Sequence, residues 1–192
     1  RIADSLHRVY VLKNEDSTYC ACATLFNLSG IAECRVLAES NILNLVVEVL
    51  ANDCPALCIK LCAAALCNFS MMGVFHEKLN ASDVISSIVA LMGSPQMHMS
   101  IKKDALQTVY NLVTMYTPSR AVFVHCEGVT ALWKLLKVKG AMGGGGGGGE
   151  ERSMLSEDNA SAGMSSVDGA EEEEATLIMI GHVVKELTDE MQ

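Results

Sequence analysis

Ala21-Cys22-Ala23-Thr24-Leu25-Phe26-Asn27-Leu28-Ser29 returns as Cys62-Ala63-Ala64-Ala65-Leu66-Cys67-Asn68-Phe69-Ser70, and again as Ala105-Leu106-Gln107-Thr108-Val109-Tyr110-Asn111-Leu112-Val113. The three stretches align without gaps, with their asparagines 41 and 43 residues apart. In each, a small residue stands six places before the Asn, an aliphatic one two before, and Leu or Phe one after. These offsets differ by four and by three, so they share one face of a helix. A pattern returning about every forty residues marks stacked helical repeats, and such repeats decide the fold before anything else does.

A second element accompanies each of these stretches. It reads Asn41-Ile42-Leu43-Asn44-Leu45-Val46-Val47-Glu48-Val49-Leu50, then Asp83-Val84-Ile85-Ser86-Ser87-Ile88-Val89-Ala90-Leu91-Met92, then Gly128-Val129-Thr130-Ala131-Leu132-Trp133-Lys134-Leu135-Leu136. Each begins with Asn, Asp or Gly, residues suited to helix starts and left-handed backbone. Residues 1–10 resemble the same element without its beginning. The intervening stretches 31–40, 74–82 and 119–127 carry enough apolar residues for a short bridging helix each. One such unit leaves its apolar face open, and stacking neighbours closes it.

The sequence Phe123-Val124-His125-Cys126-Glu127-Gly128-Val129-Thr130-Ala131-Leu132, together with the three asparagine stretches, resembles the armadillo repeat. The resemblance runs from Arg1 to about Lys139. It implies an all-α fold, a right-handed α-solenoid of armadillo/HEAT-like three-helix repeats, with about three repeats in residues 1–139 and the first truncated. A start partway through a repeat is what a piece of a longer protein would show. The family holds other proteins and is not catalytic. Its third helices line a concave groove, where the recurring Asn binds the backbone of an extended peptide.

By that resemblance the protein-binding groove consists of Asn27, Asn68 and Asn111, with Ala23, Ala64 and Gln107 one turn earlier and Tyr19, Lys60 and Lys103 two turns earlier. An amide offers a donor and an acceptor, which suits peptide main chain of any sequence. The other role open to these asparagines is to satisfy neighbouring backbone at a helix end. Nuclear-import adaptors of this family carry Trp four residues before the Asn, where this chain has Ala23, Ala64 and Gln107. Catenin-like members use a strongly basic groove, whereas this one has few lysines. Trp133, on the second element, is expected in the core.

Composition narrows the partners. Residues 1–139 hold 12 Lys+Arg against 11 Asp+Glu, and residues 140–192 hold 2 against 12. A nearly neutral body lacks the positive footprint that nucleic-acid phosphates require, so no nucleic acid is expected. The longest late apolar run, residues 177–180, falls far short of the ~20 residues of a membrane span, so no membrane is expected either. A protein or peptide partner is expected, in a cytoplasmic setting that extends to nuclear, cytoskeletal or ciliary assemblies. Two alternatives stand beside a general eukaryotic scaffold: a transport or regulatory adaptor autoinhibited by its acidic tail, and the repeat region of a larger enzyme such as a ubiquitin ligase.

Residues 140–170 read as a Gly-rich acidic linker or insertion, opening with seven consecutive glycines from Gly143 to Gly149. Gly-runs behave as flexible coil, and this composition cannot bury enough apolar surface to order itself. Ser165 is followed three residues later by Asp168, which makes it a candidate phosphorylation site for an acid-directed kinase. Residues 171–192 read as a helix. It is either independent or the missing final helix of the last repeat, which would give 129–136 a packing partner. In the second case Ala175 takes the small position, Met179 the aliphatic one and Gly181 the place of the Asn.

The remaining residues offer little chemistry. The chain's 8 cysteines lie inside amphipathic patterns, which reads as small core residues with free thiols. Cys54, Cys58 and Cys62 recur every four residues, and Cys67 follows, but the second pair across a loop that zinc sites usually use is missing. Among the five histidines, His7 has Asp4 nearby and His182 has Glu186, at most two ligands each. No nucleophile elbow or phosphate-loop signature occurs, so no catalytic residue, metal or cofactor is expected. Asn27-Leu28-Ser29, Asn68-Phe69-Ser70, Asn80-Ala81-Ser82 and Asn159-Ala160-Ser161 match the glycosylation pattern, and are read as coincidences.

Overall fold

The computed structural model describes residues 2–12, 14–31, 35–52, 54–142 and 167–189. The glycine run, the acidic stretch after it and Ser165 lie outside these residues. Every regular element among the described residues is an α-helix: α1 (Ile2–Val11), α2 (Glu15–Ser29), α3 (Arg35–Ala38), α4 (Ile42–Ala51), α5 (Ala56–Ser70), α6 (Gly73–Leu79), α7 (Ser82–Gly93), α8 (Met99–Met115), α9 (Pro118–His125), α10 (Gly128–Met142) and α11 (Val167–Asp189). None of them is long and apolar enough to cross a membrane.

Local chemistry explains several boundaries. Asn14 caps α2, its Oδ1 accepting from the Asp16 amide at 2.9 Å. Pro118 occupies the first turn of α9, where its missing N–H costs nothing. Between α9 and α10, Glu127 turns the chain with φ of 61°. The next residue, Gly128, lies against the buried ring of Phe123, so any side chain there would collide with that ring.

The long helices form two rows. In one, α2 packs on α5, α5 on α8 and α8 on α11; in the other, α1 meets α4, α4 meets α7 and α7 meets α10. Cross-contacts α1–α2, α4–α5, α7–α8 and α10–α11 join the rows into layers. The short helices α3, α6 and α9 fall within the bridging stretches or one residue before them. One continuous apolar core runs from Ala3 to Leu187.

Helix α11 therefore packs against α8, as α8 does against α5. Its register differs by one residue from the sequence alignment. Thr176, Ile180 and Val183 are the buried residues, while Ala175 is exposed and Met179 half-buried. Those three stand at −6, −2 and +1 relative to His182, so His182, and not Gly181, takes the place of the recurring Asn. A similar shift applies to the second row, where burial matches Ile42, Ile85 and Gly128. The helices also run further than the sequence pattern: α10 continues to Met142 and α11 begins at Val167. Trp133, expected in the core, is exposed. It stands opposite the buried side formed by Ala131, Leu132 and Leu135, at the position that the exposed Ala90 takes on α7.

Charge burial distinguishes the two registers of α11. Ile180→Asp places a carboxylate in the core and is expected to cost about 3 kcal/mol or more. Ala175→Asp is expected to stay within about 0.5 kcal/mol. Denaturant unfolding of the two variants checks this, and equal losses would refute the shift.

Candidate functional site

The repeated stacking of the helices in the first row has a direct chemical reading. Asn68 Nδ2 donates to Ser29 Oγ at 2.9 Å, and Asn111 Nδ2 donates to Ser70 Oγ at 2.9 Å. Each serine passes its own proton back into its helix, Ser29 to the Phe26 carbonyl at 2.6 Å and Ser70 to the Cys67 carbonyl at 2.7 Å. Both serines are fully buried, so an unmet hydroxyl would be costly there. The Asn of one layer thus reads the Ser two places beyond the Asn of the layer before. At Asn27–Ser29 and Asn68–Ser70 the Asn-x-Ser pattern supplies the joint between layers.

Further links repeat along the stack. His76 on α6 donates through Nε2 to the Ser70 carbonyl at 2.8 Å, and Arg120 on α9 donates through Nε to the Val113 carbonyl at 2.7 Å. Helices α6 and α9 therefore each pin the last turn of the long helix before them, where carbonyls lack intrahelical partners. At the α8–α11 joint Val113 replaces the serine and His182 the asparagine, so both halves of the amide–hydroxyl link are gone together. There Arg120 pairs with Glu186 at 2.5 Å, and Tyr110 meets the edge of the His182 ring at 6.1 Å. Glu186 pairs with this arginine on α9, not with the nearby histidine that the sequence suggests. His7 of α1 faces Glu48 of α4 at 3.3 Å.

These contacts fix where the candidate groove residues stand. Layer meets layer at like positions, so α2, α5 and α8 run side by side in the same direction. Tyr19, Lys60 and Lys103 then form one line across the three helices, Ala23, Ala64 and Gln107 a second, and Asn27, Asn68 and Asn111 a third. Tyr19, Asn27 and Lys60 are exposed; Ala23, Ala64, Asn68, Lys103 and Gln107 are half-buried; Asn111 is buried. Asn111 is also engaged on both sides, because its Oδ1 accepts from Gln107 Nε2 at 2.9 Å. On α11 the lines continue as Glu174, Ile178 and His182.

Electrostatics beside this face are local. Burial holds the Asp104 carboxyl above its ordinary value, while Lys60 pulls the other way. Burial, helped by Asp104, pushes the Cys67 thiol up to about 11. Beneath the face, the Cys22 and Cys62 sulfurs lie 3.7 Å apart. Hydrogen bonding to Cys22 and then burial push the Cys62 thiol up, and burial with Cys22 takes Cys58 to about 11. Thiols held this high are weak nucleophiles at neutral pH. All the described cysteines are free; Cys20 is exposed, and Cys22, Cys58 and Cys62 belong to the core. Among the described residues no group of three or more His, Cys, Asp or Glu is arranged to hold a metal ion.

A cleft of about 600 Å³ lies elsewhere, lined by His7, Tyr10, Glu15, Glu48, Asn52 and Cys54 among others. Burial and the neighbouring Cys54 hold the Tyr10 hydroxyl above its ordinary value. That hydroxyl accepts from Asn52 Nδ2 at 3.3 Å. No protein-family model matches the chain, and no curated protein matches it.

The asparagines are not equivalent, and substitution exposes the difference. Asn111→Ala removes two hydrogen bonds inside the stack and is expected to cost about 2–3 kcal/mol. Asn27→Ala removes an exposed amide and is expected to cost about 0.5 kcal/mol or less. Equal losses in chemical denaturation would remove the distinction.

Proposed function

We propose that the chain is a non-catalytic protein-binding scaffold of armadillo type, a right-handed α-solenoid that holds an extended peptide or helix across α2, α5 and α8. One observation carries this reading: helices stacked in parallel present the same three positions in lines running across the stack. Residues one helical turn apart thereby become a regular array of amide, amino and small side chains. Such an array suits a chain laid across the helices, because the groups recur at the helix–helix spacing of 8–10 Å. An extended peptide advances by roughly that distance every three residues.

The layer joints sharpen the candidate site. Asn111 serves the stack and is inaccessible to a ligand, and Asn68 has given one amide proton to Ser29. Backbone reading therefore falls to Asn27 and the outer side of Asn68. Ala23 and Ala64 give a low floor between them and the outer line. Tyr19, Lys60 and Lys103 form that outer line and supply one aromatic group and two cations. Residues 167–189 complete the array as its fourth long helix.

The test is capture of binding partners by the intact chain and by a Tyr19→Ala, Lys60→Glu, Lys103→Glu variant. The variant is expected to keep its unfolding temperature within a few degrees and to lose the partners. Undiminished capture would place binding on another face.

A further inference from the structure

Two sulfurs meet inside the first joint of the stack. Cys22 of α2 and Cys62 of α5 lie 3.7 Å apart, and both are buried to 1% exposure or less. A disulfide holds its sulfurs at about 2.0 Å, so an approach of about 1.7 Å would complete one here. Packing alone does not call for thiols at this place. The second joint, built in the same register, gives the corresponding positions to Ala63 and Ala105, each 1% exposed.

Cys22 stands between two thiols of α5. Besides Cys62 it hydrogen-bonds Cys58, one turn earlier on the same face. The bond with Cys62 draws the Cys22 thiol below its ordinary value, burial opposes this, and the bond with Cys58 adds to the lowering. Both partners move the other way and keep their protons. Of the three, Cys22 is therefore the one whose thiolate is favoured, and the thiolate is the form that attacks an electrophile.

The cleft of about 600 Å³ opens beside this group, with Thr18 and Cys54 in its lining. Thr18 precedes Cys22 by one turn of α2, and Cys54 precedes Cys58 by four residues. A molecule as small as hydrogen peroxide, once in the cleft, is about one helical turn, ~5.4 Å, from the thiols.

We propose that Cys22 is an oxidation site, and that hydroperoxides convert Cys22 and Cys62 into a disulfide tying α2 to α5. The Cys22 thiolate attacks one oxygen of hydrogen peroxide. The S–O bond forms, the O–O bond breaks, and the departing hydroxide takes up the proton that Cys22 released. The Cys62 sulfur then attacks the Cys22 sulfenic acid. The S–S bond forms, the S–O bond breaks, and the second hydroxide leaves as water with the Cys62 proton. The two thiols together lose two electrons, and one hydrogen peroxide becomes two waters. The new bond joins residues 40 apart in sequence, which restricts the unfolded chain and fastens the first two layers together.

Brief exposure of the folded, reduced chain to hydrogen peroxide tests this, followed by blocking of the remaining thiols and tryptic mass mapping. The main product should be lighter by two hydrogens and should join Cys22 to Cys62. Lys60 lies between Cys58 and Cys62, so trypsin separates the two candidate partners. The oxidised chain should unfold several degrees higher than the reduced one, and a thiol reductant should reverse the shift. In urea the same treatment should spread the links over many cysteine pairs. Cys62→Ser keeps a donor beside Cys22 but cannot close the bond, so dimedone should capture a sulfenic acid at Cys22. Cys22→Ala gives α2 the residue that α5 carries at Ala63, and should abolish the cross-link with the fold intact by circular dichroism. A folded chain that keeps all its thiols overturns the proposal, as does one that pairs Cys22 with Cys58 or spreads its links as in urea. A folded Cys62→Ser variant with no dimedone adduct at Cys22 overturns Cys22 as the residue oxidised first.

Discussion

The stack depends on one short hydrogen bond, made by an asparagine amide to a buried serine hydroxyl one layer away. Apolar burial alone would let neighbouring helices slide, because aliphatic side chains accept several packings of similar energy. A buried amide is less tolerant: displaced by one residue it loses its acceptor, and the desolvation already incurred is no longer offset. The bond therefore acts as a register pin. It occurs twice, and at the third joint both its halves are replaced, Ser by Val113 and Asn by His182. There the arginine–glutamate pair between α9 and α11 supplies a polar link of a different kind. The concerted exchange at Val113 and His182 is what a joint, as opposed to two independent residues, requires.

Holding the layers in one register has a direct consequence for function. It turns positions four residues apart on separate helices into continuous lines, which is how three unremarkable helices present a regular array to a partner. That array underlies the scaffold reading.

Much of this was legible in the sequence, since the offsets −6, −2 and +1 around each Asn describe the buried side of α5 and α8. The pattern was strong because tertiary packing repeats it. Where the repeat decays, the reading slipped: with no Asn in α11, the small residue Ala175 invited an alignment one place early, and burial of Thr176 corrects it. Hydrophobicity suggests a core place for Trp133, but its position in the helix is the one that Ala90 exposes on α7. The serines were missed as joint residues, although their recurrence two places after Asn27 and Asn68 was visible. An Asn-x-Ser that returns in register is better explained by a contact between repeats than by a modification. The Arg120–Glu186 pair could not be read, because its members come from segments 66 residues apart.

The central claim is that the amide and the hydroxyl act as a unit, and a double-mutant cycle on Asn111 and Ser70 measures this directly. Unfolding free energies of Asn111→Ala, Ser70→Ala and the double variant give the coupling between the two side chains. The account predicts a favourable coupling of about 1 kcal/mol or more. Additive losses, with coupling near zero, would contradict it.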